Sequence, residues 1–113
     1  MAADASDKPL IAMPKLYEYF GLIVLFYSGE HEPIHVHGLC QGRECRAELV
    51  VADGRVMTIR FGAVTGRSPL RPSEMADFRA IIRQRADDIV AKWVDFFVWQ
   101  KPVKSERITR RLR

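Results

Sequence analysis

The hydrophobic pattern of this chain of 113 residues changes its period near Arg71, and that change divides the expected fold into two parts. Ahead of Arg71 the apolar residues run continuously or alternate, which is typical of strands. Beyond it they recur at steps of three and four, as on one face of a helix: Met75, Phe78, Ile82, Ala86, Ile89, Trp93 and Phe96. No glycine or proline lies between Ser73 and Lys101, which predicts one long helix ended by Pro102. A break near residues 85–87 stays open as an alternative.

Strands are predicted ahead of the helix. Residues 19–27 are rich in aromatic and β-branched side chains, which favours a strand covered on both faces, with Gly21 as a bulge or a point of close backbone approach. Three shorter strands are predicted over residues 34–39, 44–51 and 55–61. The turns expected between them are Gln41-Gly42 and Asp53-Gly54, and the second pair is typical of a tight hairpin.

Together these elements predict a single α+β domain, in which an antiparallel meander of three or four strands is packed by one long C-terminal helix. The domain is expected over residues 14–104. A flexible N-terminal extension of residues 1–13 precedes it, with Met13 as a second candidate start, and a basic C-terminal tail of residues 105–113 follows it. A chain of this length can bury one ordinary core without support from a metal or a disulfide.

Composition narrows the classes of function. The formal net charge is +4, with much of the excess after residue 100, which indicates either an anionic partner such as RNA or a solvated terminus. Cys40 and Cys45 lack the spacing of a redox or zinc pair. No signal peptide or apolar run of membrane-spanning length is visible, so a cytoplasmic protein without membrane contact is expected. Phosphate-binding loops, dinucleotide fingerprints and nucleophile elbows are absent from the sequence.

All three histidines lie within residues 31–37. Because side chains alternate along a strand, His35 and His37 are predicted on one face, while the apolar residues beside them face the core. Pro33 disfavours a helix at this point. His31 precedes that proline, in a turn from which it could fold back towards the other two imidazoles.

Two interpretations of the cluster need no catalysis. In one, His31, His35 and His37 bind a divalent metal such as zinc, with Glu30 or Cys40 completing the set. A pair of histidines on one strand face supplies two of the three or four ligands that zinc requires. In the other, the imidazole nitrogens hydrogen-bond to backbone carbonyls and only hold the turn.

The third interpretation is acid–base catalysis on a phosphodiester. Imidazoles titrate near neutral pH, and a small ribonuclease requires only an acid, a base and a cation. Arg43 and Arg46 are the candidate cations. The catalytic site predicted on this interpretation comprises Tyr27, His31, His35, His37 and Arg46.

A wider set of residues carries a resemblance. It comprises Met13-Pro14, Phe20-Gly21-Leu22-Ile23-Val24, Tyr27, His31, Pro33, His35, His37, Ala47, Trp93 and Lys101-Pro102-Val103-Lys104. With these residues the chain resembles the DUF4160 family of small bacterial proteins, a domain of unknown function, over about residues 13–104. The histidine string is the specific part of the resemblance. The chain has Ile82 and Ala86 where family helices often carry a further Trp and His, so no helix histidine is implied for the site.

The resemblance implies a small basic bacterial protein whose function is open. Many members are encoded beside another small protein, which has suggested toxin–antitoxin modules. It therefore implies one component of a toxin–antitoxin-like pair that acts on or with RNA, or with a small cognate partner protein, through its histidines. The alternatives are a metal-binding protein that uses the His-x-Pro-x-His-x-His motif, and a non-catalytic protein-interaction domain. No cofactor is assured, and a divalent metal such as zinc is the candidate of the metal-binding alternative. The sequence leaves open whether the protein is an enzyme.

Overall fold

A computed structural model of the protein describes residues 14–26 and 34–113. These two stretches form a sheet, two α-helices and a π-helical segment. The strands are β1 (Lys15–Tyr19), β2 (Leu22–Leu25), β3 (Ile34–Cys40), β4 (Arg43–Ala52), β5 (Arg55–Ala63) and β6 (Glu106–Ile108). The helices are α1 (Pro72–Gln84) and α2 (Ala86–Trp93), followed by the π-helix Val94–Val98.

Three tight turns make the hairpins of the sheet. Both central residues have positive φ in Phe20-Gly21, Gln41-Gly42 and Asp53-Gly54, as in the type I′ turns whose twist matches that of paired strands. The second and third turns were predicted and are confirmed. The single strand predicted over residues 19–27 is wrong, because the first turn divides the apolar run into β1 and β2, which pair with each other.

The sheet has six strands in the order β5-β4-β3-β2-β1-β6. Consecutive strands from β1 to β5 pair antiparallel, so the meander is confirmed in outline. The strand count and the purely antiparallel sheet are wrong. Residues expected in a basic tail form β6, which pairs parallel with β1 and buries Ile108.

The single long helix is also wrong, and the chain breaks where the alternative placed it. Arg85, with φ −109° and ψ 14°, separates α1 from α2. Backbone hydrogen bonds continue across the break, from the Arg85 N–H to Ile81 and from the Ile89 N–H to Arg85. The two helices therefore follow each other without a loop, and the Arg85 side chain reaches Glu106 of β6 at 3.3 Å.

Both helices pack on one face of the sheet. Phe78 of α1 is fully buried and lies directly over Gly38 of β3, where a β-carbon would be 2.7 Å from its ring. From α2, Asp88 accepts a hydrogen bond of 2.5 Å from the hydroxyl of Tyr17 in β1. Of the predicted helix stripe, four residues reach the buried core: Phe78, Ile82, Ile89 and Trp93.

The face opposite the helices is called the open face below. Register places on it the residues of odd number in β3 and of even number in β4, since directly paired residues share a face. Its central side chains are His35, His37, Leu39, Glu44, Arg46 and Glu48. Within the two described stretches, no helix is long and apolar enough to cross a membrane.

Candidate functional site

Two of the predicted site histidines share the open face. His35 and His37 are alternate residues of β3, and the flanking Ile34 and Val36 are buried in the core, as the strand pattern predicted. His37 is itself only 6% exposed, although the two described helices pack on the other face of the sheet. Tyr27 and the third histidine, His31, lie outside the described residues, together with Glu30 and Pro33.

A carboxylate lies against His37. Its Nδ1 is 2.9 Å from Oε2 of Glu44, and Glu44 is only 1% exposed. A carboxylate oxygen accepts a hydrogen bond, so this contact favours the tautomer in which Nδ1 carries the hydrogen and Nε2 is the basic nitrogen. The contact therefore orients the imidazole and sets its tautomer, as carboxylates do for catalytic and metal-bound histidines.

The same carboxylate has a second charged partner. Arg67, from the loop between β5 and α1, lies with Nε 3.2 Å from Oε1 of Glu44. The loop is fixed beside β4, since the Glu44 N–H donates to the Ser68 carbonyl at 2.8 Å. A buried carboxylate needs such compensation, because charge removed from water is costly unless it is paired. His37, Glu44 and Arg67 are called the His37 triad below; its first two members are buried and Arg67 is exposed.

A second arginine faces the same region. Arg46 pairs in register with His37 across β3 and β4, so both project from the open face. On its other side Arg46 pairs with Gly62, and a β-carbon at that glycine would lie 4.0 Å from Nε and Nη2 of the guanidinium. Arg46 forms no ion pair with any residue of 14–26 or 34–113, so its charge is available to an anion.

Arg43 does not belong to the site. It is of opposite parity to Arg46 in β4 and lies on the helix face, where Nε donates to Oε1 of Glu74 at 2.9 Å. The hydrogen bonds that the Arg43 guanidinium donates to Glu74, together with one from the Arg71 backbone N–H, lower the pKa of Glu74 from its usual 4.5 to about 2. The alternative that gave Arg43 the role of the cation is wrong, because strand parity places it on the other face from His35 and His37.

Cys40 is on that helix face too, and the geometry removes it from the histidine set. Burial, followed by the neighbouring Glu74 carboxylate, raises the pKa of its thiol, which disfavours the thiolate that a metal requires. Cys45 is a buried free thiol whose sulfur accepts the Leu70 N–H at 3.4 Å. In the described part of the chain, no group of three or more His, Cys, Asp or Glu side chains is arranged to hold a metal ion.

Sequence reasoning missed Glu44 and Arg67. Glu44 could have been found, because the Gln41-Gly42 turn fixes the register of β3 against β4 and places Glu44 diagonally across from His37. Arg67 had no such signal. It lies 23 positions from Glu44 in a loop, and no periodicity relates a loop residue to a strand face.

Comparison with known proteins identifies the family. No curated protein and no solved structure matches the chain significantly. A family model does match, described as a domain of unknown function (DUF4160), and it covers residues 21–94. That match includes β2 to β5, both α-helices, the histidine string and all of the His37 triad, and it excludes β1 and β6. The chain therefore belongs to the DUF4160 family, whose function is unknown.

Proposed function

We propose that this protein cleaves RNA at its open face, as one partner of a toxin–antitoxin-like pair. The observation that carries the proposal is the buried contact between His37 and Glu44, beside a guanidinium, Arg46, that has no anionic partner among the described residues. A carboxylate that sets the tautomer of a histidine, next to an available cation, provides a base and a site for phosphate charge.

The chemistry that suits these groups is internal transesterification. A base removes the proton of the ribose 2′-hydroxyl, whose oxygen then attacks the adjacent phosphorus. The bond from phosphorus to the 5′ oxygen breaks, and an acid supplies the proton to that leaving oxygen. The products are a 2′,3′-cyclic phosphate and a 5′-hydroxyl. Two imidazoles can perform both proton transfers near neutral pH.

The described residues fit these roles. Nε2 of His37 is the basic nitrogen, since Nδ1 is held by Glu44. His35 projects from the same face two residues earlier, about 6–7 Å along the strand, a separation that suits groups on either side of one phosphodiester. Arg46, directly across from His37, is placed to stabilise the negative charge that develops on phosphorus. Tyr27 and His31 keep the roles predicted from the sequence.

The test is cleavage of RNA oligonucleotides with identification of the new ends. We expect 2′,3′-cyclic phosphate ends, activity in the presence of EDTA, and no cleavage of DNA, which lacks the 2′-hydroxyl. His35→Asn combined with His37→Asn should abolish cleavage. Asparagine is chosen at 37 because its amide nitrogen can replace Nδ1 as donor to the buried Glu44, whereas alanine would remove a partner from a buried charge.

Asp87→Asn, on the exposed surface of α2, is the control and should cleave as the unmodified protein does. Expression in a bacterial host gives a second readout: the unmodified chain should inhibit growth and the double variant should not. Circular dichroism verifies that the double variant is folded. Cleavage or growth inhibition undiminished in the folded double variant would contradict the proposal.

A metal-binding protein is the second candidate, and the same contact favours it. Histidines that ligate metals usually donate their other N–H to a carboxylate, as His37 does to Glu44. His35 and His37 would be two ligands and His31 a third, with zinc as the metal. Mass-spectrometric metal analysis of the untagged protein distinguishes this candidate from RNA cleavage. One equivalent of bound zinc that is lost in the double asparagine variant would support the metal-binding candidate.

The third candidate is a non-catalytic protein-interaction domain. Apolar side chains are exposed at the far end of the β4–β5 hairpin, where Met57 is 63% and Val51 37% exposed. Contact with a small cognate protein would bury them. Copurification of a partner that is lost in Met57→Ser, with no cleavage and no bound zinc, would favour this candidate.

A further inference from the structure

Two arginines of α1 stack on one aromatic ring at the edge of the sheet. The guanidinium carbons of Arg79 and Arg83 lie 5.6 and 5.4 Å from the centroid of the Phe61 ring. Both arginines are exposed, and they are one helical turn apart. The ring is held in turn by an edge-to-face contact with the buried Phe78, at 5.8 Å between centroids. Arg79, Arg83 and Phe61 are called the arginine pair site below.

The charge of this site is not neutralised within the described structure. The acidic residues of α1 are used elsewhere: Glu74 binds Arg43, and Asp77 binds Arg113 at 2.7 Å. Neither Arg79 nor Arg83 forms an ion pair with a residue of the described stretches. Like charges one turn apart on a helix repel each other, and stacking of both guanidiniums on the Phe61 ring offsets that repulsion. The two arginines therefore hold a positive charge at the surface that no described acidic residue compensates, which suits an anionic ligand.

The position of Phe61 connects the site to the open face. Phe61 belongs to β5, the terminal strand of the sheet, and projects on the helix face. The next residue, Gly62, is the one beneath the Arg46 guanidinium on the open face. The arginine pair and Arg46 therefore flank the same strand from its two sides, and a chain that passes over this edge could contact both.

We propose that the arginine pair site binds the phosphate backbone of single-stranded RNA and guides it over β5 to the open face. This inference rests on the proposed action on RNA. Guanidinium groups recognise phosphate through paired hydrogen bonds, and stacking on Phe61 fixes the planes of both before a ligand arrives. A single strand is favoured over a duplex because its phosphates can follow the sharp edge of a sheet, and its unstacked bases can lie on an aromatic or guanidinium plane.

The experiment is fluorescence anisotropy with a labelled 2′-O-methyl RNA oligonucleotide. Its blocked 2′-oxygen cannot attack phosphorus, so binding is measured without cleavage. Arg79→Gln combined with Arg83→Gln should weaken binding about tenfold at moderate salt. It should also reduce the slope of log affinity against log salt by about 1.4, the value for two lost phosphate contacts on a single strand. Phe61→Leu, which keeps both charges and loses the ring, should give a smaller loss.

The matched control removes the same charge elsewhere. Arg55 and Arg110 are also exposed and without an ion pair in the described residues, so Arg55→Gln combined with Arg110→Gln should change affinity less than twofold. Three results would overturn the inference: no binding by the unmodified protein, equal loss in both double variants, or displacement of the RNA by polyglutamate at equal charge concentration. The last would assign the site to an acidic protein.

The two proposals fail separately. If the double asparagine variant at His35 and His37 still cleaves RNA, or if no RNA is cleaved, the catalytic proposal fails while the binding measurement stands. If cleavage occurs but the arginine pair variant binds like the unmodified protein, the catalytic proposal stands and this one fails.

Discussion

Replacement of Gly38 by alanine should destabilise the fold although it adds only one methyl group. The new β-carbon would lie 2.7 Å from Cδ1, 2.8 Å from Cε1 and 3.1 Å from Cγ of Phe78. The ring cannot easily move, because Phe78 is fully buried and packs edge-to-face on Phe61. Overpacking of this kind costs about 1–3 kcal/mol.

A second effect acts in the opposite direction. Alanine restricts the unfolded chain more than glycine does, which stabilises a protein by about 0.4–1 kcal/mol where the backbone is compatible. The net expectation for Gly38→Ala is a loss of about 1–2 kcal/mol in the free energy of unfolding. For a domain of this size that corresponds to a fall in Tm of about 4–8 °C.

Gly62→Ala is the matched control. Gly62 also lies in a strand, and its added β-carbon would have its nearest neighbours at 4.0 Å, in ordinary contact. It should leave stability unchanged or raise it slightly. The measurement is urea unfolding followed by the fluorescence of Trp93, which is 8% exposed and packs on Phe97 at 5.2 Å.

A double-mutant cycle isolates the contact. In a Phe78→Leu background the six-membered ring is gone, so Gly38→Ala should cost less than it does in the unmodified chain. If Gly38→Ala is as stable as Gly62→Ala, or costs the same with leucine at position 78, the packing argument is refuted. The contact also bears on the site, because α1 holds one face of β3 and the histidines project from the other.

Three further predictions concern pH and the last strand. Glu74→Gln should reduce the pH dependence of the free energy of unfolding between about pH 5 and pH 2. The folded pKa of Glu74, about 2, lies below its usual 4.5, so the carboxylate stabilises the fold above about pH 5 and this stabilisation is lost towards pH 2. An unchanged slope of unfolding free energy against pH, measured by urea titration over that window, would contradict the prediction. Tyr17→Phe should flatten the alkaline limb. Burial, followed by the hydrogen bond to Asp88, raises the pKa of Tyr17 above its usual 10.0. The protonated phenol therefore stabilises the fold below about pH 10, and this stabilisation is lost as the pH rises further. A series of Tm measurements from pH 8 to 11 on both proteins tests this. Ile108→Ala should cost about 2–5 kcal/mol, as for a buried core isoleucine. The exposed Thr109→Ala should cost little, and equal unfolding midpoints for these two would show that β6 contributes nothing.

The turns show where sequence reasoning succeeds. Asp53-Gly54 and Gln41-Gly42 combine a polar residue with glycine, and this signals positive φ at both positions. Phe20-Gly21 has the same geometry, but a phenylalanine at φ 46° continues the apolar run and hides the turn. Local chemistry therefore predicted two hairpins and concealed the third.

The helix break and the last strand depend on distant contacts. Arg85 is an ordinary helix-forming residue, and its departure from helical geometry accompanies contact with Glu106, 21 positions away. A three-residue strand such as β6 is too short to show alternation, and its partner β1 is at the other end of the described chain. Neither feature has a local signal.

At the site, strand parity was sufficient for the histidines and for Arg46. It placed His35 and His37 on one face, and with the hairpin register it also excludes Arg43. Strand parity predicts which face a side chain lies on, but it does not predict whether that side chain is buried there. The loop that carries Arg67 contacts Glu44 through its backbone and side chain, and a contact between a loop and a strand has no local signal in the sequence.

The pairing of β6 with β1 has a consequence for the order of folding. Arg107 of β6 hydrogen-bonds to Glu18 of β1, 89 positions earlier in the chain. Strands β1 to β5 are joined by short connections and can pair as they leave the ribosome, whereas the outer edge of β1 must wait until residues 106–108 are synthesised. During synthesis that edge displays unpaired backbone groups, a template for association with other chains. Strand β6 is thus the last of the six strands to be synthesised, and its pairing with β1 removes that exposed edge.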